Sequence, residues 1–266
     1  PEEISGRLVY ALTSNGNLIS FDSDAPSLVR SLAPVSGIMS GQVLAGMDFR
    51  PATGELYVLG YNSMTGEANM YTVNTTTGVA TAVGVAPATL EAGMGKIGFD
   101  FNPTVDRVRV TGSNNANYRL HPTTGAVVAT DSDLAFAAAD LNAAANPSIG
   151  AVAYTNSYIG AATTVLYNYD DSLNVLTTQI PPNNGVLNTV GNSGIVLNLL
   201  DPSADLDIFF DTTTHTNQAF LAANVAGFSI DQFFTLDLAS GNVTHIVKGP
   251  FCHKDGAFGM SPSHTG

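Results

Sequence analysis

The chain has no tryptophan, a single cysteine and only nine lysines and arginines among 266 residues. Each scarcity excludes something. The lone Cys252 cannot form an intramolecular disulfide, so no cross-link framework holds the fold together. It reads first as a small buried hydrophobe, with a free thiol or an intermolecular link as the alternatives. Nine basic residues against 22 acidic ones, a net charge of −13, leave no basic patch for phosphate neutralisation. Nucleic acid is therefore not an expected partner, and an anionic membrane surface is disfavoured for the same reason. No apolar run approaches the ~18 residues of a membrane span. The opening Pro1-Glu2-Glu3 has neither Met nor a charged-then-apolar signal, which suits a processed, exported chain in the periplasm or outside the cell.

Charged residues are also sparse, at 12% against a usual share of about 25%. Thr, Asn, Ser and Gly take their place and favour strands and turns over surface helices. A hydrophobic share of 44% supplies ample material for a core.

Internal repetition organises that material. Tyr71-Thr-Val-Asn-Thr-Thr-Thr-Gly78 recurs as Tyr118-Arg-Leu-His-Pro-Thr-Thr-Gly125 and as Phe234-Thr-Leu-Asp-Leu-Ala-Ser-Gly241. Weaker copies start at Ile19 and at Tyr167, where Asn174 stands in the glycine position. Alternating apolar and polar residues before a Gly or Asn of positive φ describe a β-hairpin. A second element precedes the hairpins. Leu44-Ala-Gly-Met-Asp-Phe-Arg-Pro51 matches Lys96-Ile-Gly-Phe-Asp-Phe-Asn-Pro103, with looser copies at 148–154 and 204–210.

Each unit thus offers four strands over roughly 45–65 residues, the size of a propeller blade. The first unit begins at Leu8-Val-Tyr-Ala-Leu12, which matches a second strand, and the missing first strand reads as Gly256 to Pro262. The expected fold is all-β: one β-propeller over 1–266 with five four-stranded blades. Its ring closes where the N- and C-terminal strands pair in one blade, with 1–7 as an arm and 250–266 as the closing segment. A sixth blade hidden in 180–200 is the alternative. The Ala-rich 131–147 reads as a short helix or an excursion between blades.

Candidate chemistry is thin. No Gly-x-Ser-x-Gly elbow and no His-Glu-x-x-His helix occurs. Asp48 and Asp100 occupy the same place in two innermost strands, where they either bind a cation, serve as a glycosidase-type acid–base pair or repeat one strand-end hydrogen bond. Arg50 and Asn102 lie just beyond them. Arg107 and Arg109 share a strand face, with Arg119 on the adjacent strand, positioned to grip an anion or to form structural salt bridges. Cys252, His253, Met260 and His264 form the one soft-ligand grouping, and no metal is expected there. Asp-rich loops at 22–24, 131–133 and 201–207 leave Ca²⁺ open as a ligand but lack the EF-hand pattern. No other cofactor is implied.

Phe99-Asp-Phe-Asn-Pro-Thr-Val-Asp-Arg-Val-Arg-Val110, Asp48-Phe-Arg-Pro-Ala-Thr-Gly54 and Pro181-Pro-Asn-Asn-Gly-Val-Leu187 resemble hallmarks of the family called domain of unknown function 4394. The resemblance runs from about Leu8 to Met260 and leaves Pro250 to Asp255 unmatched. It implies exported bacterial proteins with a propeller-like fold and no catalytic residues to carry over. The functional expectation is a non-catalytic protein-interaction module, an accessory subunit or scaffold of an envelope or membrane complex. The alternative is a glycan-binding or glycan-hydrolysing propeller assisted by Ca²⁺.

Overall fold

The computed structural model describes residues 3–246 and 258–260. Their strands follow the chain blade by blade. Blade I contributes β1 (Leu8–Leu12), β2 (Asn17–Asp22) and β3 (Ala25–Pro34). Blade II is β4 (Val43–Phe49), β5 (Leu56–Tyr61), β6 (Glu67–Val73) and β7 (Ala80–Ala82), with the two-residue β8 (Ala88–Thr89) also on β6. Blade III is β9 (Ile97–Asn102), β10 (Arg107–Gly112), β11 (Asn117–Leu120) and β12 (Val127–Thr130). The short β13 (Ala135–Phe136) precedes blade IV, which is β14 (Ile149–Tyr154), β15 (Leu166–Asp170), β16 (Val175–Gln179) and β17 (Val186–Asn192). Blade V is β18 (Ala204–Asp211), β19 (Thr216–Ala223), β20 (Gln232–Leu236) and β21 (Val243–His245).

The last described strand, β22 (Phe258–Met260), closes the ring. It pairs antiparallel with β1 in the register Val9–Met260, Tyr10–Gly259 and Ala11–Phe258. Blade I therefore has the order β22-β1-β2-β3, and the five sheets form a five-bladed β-propeller. The innermost strands β22, β4, β9, β14 and β18 each lie against the next around the axis. A closed ring leaves the inner edges covered by neighbours instead of open to a second chain.

Blades stack face to face, so a strand near the axis is buried on both sides. That is why β5 and β14 read as near-continuous apolar runs and are buried at every position. Apolar layers between neighbouring blades make the core. Tyr57, Leu59 and Met70 of blade II meet Phe99, Phe101 and Val108 of blade III. Corresponding layers lie between blades IV and V, V and I, and I and II. Tyr57 and Phe101 meet edge-on, with ring centroids 5.0 Å apart. Inner strands approach closely at glycine: a Cβ on Gly46 would lie 2.5 Å from the Cβ of Phe99.

Blade IV departs from the expected strand assignment. Tyr167 lies on β15, the second strand of its blade, whereas Tyr71, Tyr118 and Phe234 lie on third strands. Asn174 (φ 56°) turns β15 into β16, one strand earlier than Gly78 turns β6 into β7. The stretch 180–200 holds no extra blade, because it supplies β17, the fourth strand, after a single 3-10 turn at Pro182–Asn184. The Ala-rich 131–147 is an excursion whose β13 pairs parallel with β17, adding a fifth strand to that sheet in place of a helix.

The repeated hairpin glycine has two causes. Gly78, Gly125 and Gly241 have φ of 73°, 69° and 80°, and each N–H donates to the carbonyl four residues earlier. Each also abuts backbone from the adjoining blade: Pro34 O for Gly78, Val83 O for Gly125 and Gly191 O for Gly241. A Cβ on Gly78 would collide with Pro34 O, whereas one on Gly16 (φ 74°) would meet nothing within 4 Å. Gly16→Ala is expected to cost about 1–2 kcal/mol from its left-handed backbone. Gly78→Ala should cost clearly more, read as a lower urea midpoint at unchanged slope. Equal losses in the two variants would remove the interblade contact from the explanation.

Candidate functional site

Three inner strands each place one aspartate near the axis: Asp48 on β4, Asp100 on β9 and Asp207 on β18. Each carboxylate accepts a backbone N–H from the next inner strand. Phe101 N–H donates to Asp48 at 2.8 Å, Tyr154 N–H to Asp100 at 2.8 Å, and Met260 N–H to Asp207. The physical need is plain: an inner strand has one unpaired edge, and a buried N–H requires an acceptor. In blade IV, Val152 follows Gly150 by the same two-residue offset that separates Asp48 from Gly46 and Asp100 from Gly98.

The three aspartates converge. One oxygen from each lies within 4.8 Å of the others, and all three residues are buried. Burial pushes every one of these carboxyls upward, because the charged form is cut off from water. The charge of Asp207 raises Asp48 further, and the charges of Asp48 and Asp207 raise Asp100. Burial pushes Asp207 up to about 7, against the pull of the Met260 and Ile208 N–H groups.

Beside the cluster lies a cavity of about 10 Å³ lined by Asp48, Ser157, Asp207 and Met260 among others. That is room for one water or one ion. Sites that enclose a small-molecule ligand run to about 300–1,000 Å³.

The other sequence-level candidates lie elsewhere. Arg50, at the end of β4, forks onto Asp106 through Nε (2.9 Å) and Nη2 and touches the Tyr57 hydroxyl. Asp106 holds its guanidinium pKa up. Asn102 caps its own turn by accepting Thr104 N–H and Oγ1–H. Arg107 donates to the carbonyls of Val105 and Asp106. Arg109 pairs across the sheet with Asp100 on one side and with Arg119 on the other. It is 2% exposed and donates to Asp131, Asn117, Asn183 and the Tyr154 hydroxyl. Arg119 forks onto the same Asp131 carboxylate, which raises its pKa. A polar row thus runs outward from the axis between blades III and IV. Arg109 is held there by four protein acceptors and Arg119 by the Asp131 fork.

Asp207 reads in the sequence only as the end of the Asp-rich 201–207 and not as a partner of Asp48 and Asp100, although Leu206-Asp207-Ile208 stands in the Met47-Asp48-Phe49 position. Among the acidic loops, Asp22 binds the backbone N–H groups of Ser5, Gly6 and Asp24 and ties down the N-terminal arm. Cys252, His253 and His264 lie outside the described residues, as does most of the closing segment. Met260 is described, and its backbone N–H is the part that serves the site.

A larger cavity, about 780 Å³, opens at the end of the ring where the inner strands begin. Its lining includes Lys96, Gly150, Asp171, Asp201 and Asp205, with apolar walls from Leu12, Leu44 and Tyr61.

A model of the family described as "Domain of unknown function (DUF4394)" matches residues 17–254. No curated protein matches the chain. A structural genomics protein of unknown function from Bacteroides thetaiotaomicron is similar in fold. It has 15% identity and a TM-score of 0.50, over 98% of this chain and 62% of that one. The glutaminyl cyclase of Myxococcus xanthus has 11% identity and a TM-score of 0.49, over 84% of each chain. A GH43_1 enzyme from Xanthomonas citri has 8% identity and a TM-score of 0.45, over 93% of this chain and 94% of that one. At such identities the likeness concerns fold alone.

Proposed function

The chain belongs to the family described as a domain of unknown function (DUF4394), and on that premise we propose that it is a non-catalytic, divalent-cation-dependent binding module. Its cation is Ca²⁺, held on the propeller axis by Asp48, Asp100 and Asp207. One observation carries the reading: three buried carboxylates converge within 4.8 Å beside a space fit for a single ion. Carboxylate oxygens suit hard cations, and a pair of Ca–O bonds of about 2.4 Å spans such a separation. The ion would replace repulsion among the carboxylates with a link between blades II, III and V. Ser157, which lines the same small cavity, and water would supply further oxygens.

The carboxylates do not serve as a glycosidase acid–base pair on this reading. A sugar ring does not fit a cavity of about 10 Å³. An extracytoplasmic location accords with the reading, since weak extracellular Ca²⁺ modules work at about 10⁻⁴–10⁻³ M. The protein-partner reading keeps one specific observation. Leu199, Leu200 and Phe228 stand exposed on two loops joined by the Leu197–Val225 bridge, next to Asp201 at the large cavity. Among the described residues no helix is long and apolar enough to cross a membrane.

Calorimetric titration of chelator-treated protein with CaCl₂ tests the cation. One Ca²⁺ per chain is expected to bind. Free Ca²⁺ at a hundred times Kd should stabilise the fold by about 2.7 kcal/mol, a rise of roughly 5–10 °C in Tm. Asp207→Asn should abolish the rise. Wild-type protein indifferent to millimolar Ca²⁺ at pH 7.5 would end the proposal.

A further inference from the structure

The large cavity shares none of the three axial aspartates in its lining. Two groups in it are oddly placed for a merely structural surface. Asp171, just past β15, is 3% exposed, yet its Oδ1 accepts no hydrogen bond. Asp170 beside it is satisfied by the N–H groups of Ser148, Ser172 and Leu173. A buried carboxylate oxygen without a donor is costly, and native folds rarely tolerate it without a use.

Lys96, half-buried at the foot of β9, lines the same cavity. Burial and the neighbouring Asp170 charge push the Asp171 carboxyl up, and Lys96 lies close enough to pull it back in part, but the described ion pairs include neither residue. Gly150 keeps both groups in place. A Cβ there would run into Asp171 Oδ2 and lie 2.7 Å from Lys96 Cβ.

The chemistry of a fitting ligand follows from these charges. Asp171, Asp201 and Asp205 against one Lys96 repel an anion such as phosphate. An ammonium donates three N–H groups, which is what an oxygen without a donor lacks. The lysine ammonium meanwhile offers one localised anion contact among carboxylates. We propose that this cavity binds the zwitterionic α-ammonium and carboxylate of a free amino acid or short peptide. The ammonium sits on Asp171, the carboxylate on Lys96, and an apolar side chain rests against Leu12, Leu44 and Tyr61. The volume of about 780 Å³ exceeds what one amino acid fills and falls within the usual range for ligand sites.

The test is calorimetric titration with leucine, Leu-Gly-Gly, N-acetyl-Leu-Gly-Gly and Leu-Gly-Gly amide, in saturating Ca²⁺ and again in chelator. Leucine or Leu-Gly-Gly is expected to bind saturably, and the tighter of the two identifies the source as free amino acid or peptide. A charge-assisted hydrogen bond of about 1.5–3 kcal/mol corresponds to roughly 10–150-fold in affinity. N-acetylation and Asp171→Asn should each weaken binding by that factor. Removing the carboxylate charge, or making Lys96→Gln, should weaken it by less. Lys96→Gln lies at the half-exposed rim and keeps the test informative if Asp171→Asn misfolds. Absence of binding at millimolar concentration would overturn the assignment. So would binding indifferent to acetylation, or Ca²⁺ uptake that depends on Asp171.

Discussion

In chelator, the protein is expected to lose stability as pH rises from 5 to 8, and added Ca²⁺ is expected to abolish that loss. The sign follows from the upward shift of the axial carboxyls. A group whose folded-state pKa exceeds its unfolded value binds its proton more tightly when folded. Its stabilisation is complete below about pH 4 and fades as pH climbs through the folded value. Asp207, pushed by burial from 3.8 to about 7, alone accounts for about 2–3 kcal/mol between pH 5 and 8. For a chain of this size that is roughly 5–10 °C in Tm. Asp48 and Asp100, raised well above the usual range by burial and by charge on their neighbours, carry the decline further toward alkaline pH. Calcium cancels the slope, because it binds the carboxylates that protons would otherwise neutralise. Its apparent affinity should therefore rise across the same window. Thermal melts at four pH values with and without CaCl₂ check both halves. A flat profile in chelator would mean that burial does not raise these carboxyls in the folded protein. Parallel slopes with and without calcium would move the ion off the axis. Asp207→Asn, which removes one charge and keeps the shape, should flatten the chelator profile.

The fold could be read from the chain because its punctuation repeats. Gly78, Gly125 and Gly241 mark positive-φ turns, and Gly46 and Gly98 mark inner strands two residues before an aspartate. The unpaired second strand at Leu8 and the spare first strand near Met260 are one sheet divided between the two ends of the chain. Blade IV resisted because Tyr167 and Asn174 imitate the third-strand hairpin while belonging to the second. Local spacing does not say which strand of a blade a hairpin serves. Asp48 and Asp100 were legible as equivalents, whereas Asp207 read as part of an Asp-rich stretch, because Asp205 stands two residues earlier in a looser copy. Asp171 and Lys96 left no signal at all. They come from blades IV and III and meet only because consecutive inner strands start at the same end of the ring. The arginines had two readings in the sequence, and only coordinates show what stands opposite them. Repetition reveals architecture, while a site assembled from different blades depends on stacking that no single repeat records.

Arg109→Ala is expected to be among the most damaging single substitutions in the chain, at about 3–5 kcal/mol, whereas Arg119→Ala should cost less than about 1 kcal/mol. Both arginines hold Asp131, yet their surroundings differ. The Arg109 side chain is 2% exposed and that of Arg119 is 30% exposed. Removing Arg109 strips a donor from Asp131, from Asn117 Oδ1 and from Asn183 Oδ1, all in the seam between blades III and IV. Water cannot replace those donors without opening the seam. Arg119 lies at the rim, and its loss leaves Asp131 with the buried partner. Arg109→Lys restores the charge but not the fork that reaches four acceptors from one head group, so its loss should be intermediate. Urea unfolding of the three variants ranks them. The ranking also decides between the two readings of the arginine cluster. A structural seam predicts loss of stability that follows burial. A receptor for an external anion predicts that Arg109→Ala folds as well as Arg119→Ala, since freeing Asp131 and its neighbours would then matter little. Equal stability of those two variants would return the cluster to the anion-binding reading, and a gap of several kcal/mol would tie it to the joint between two blades.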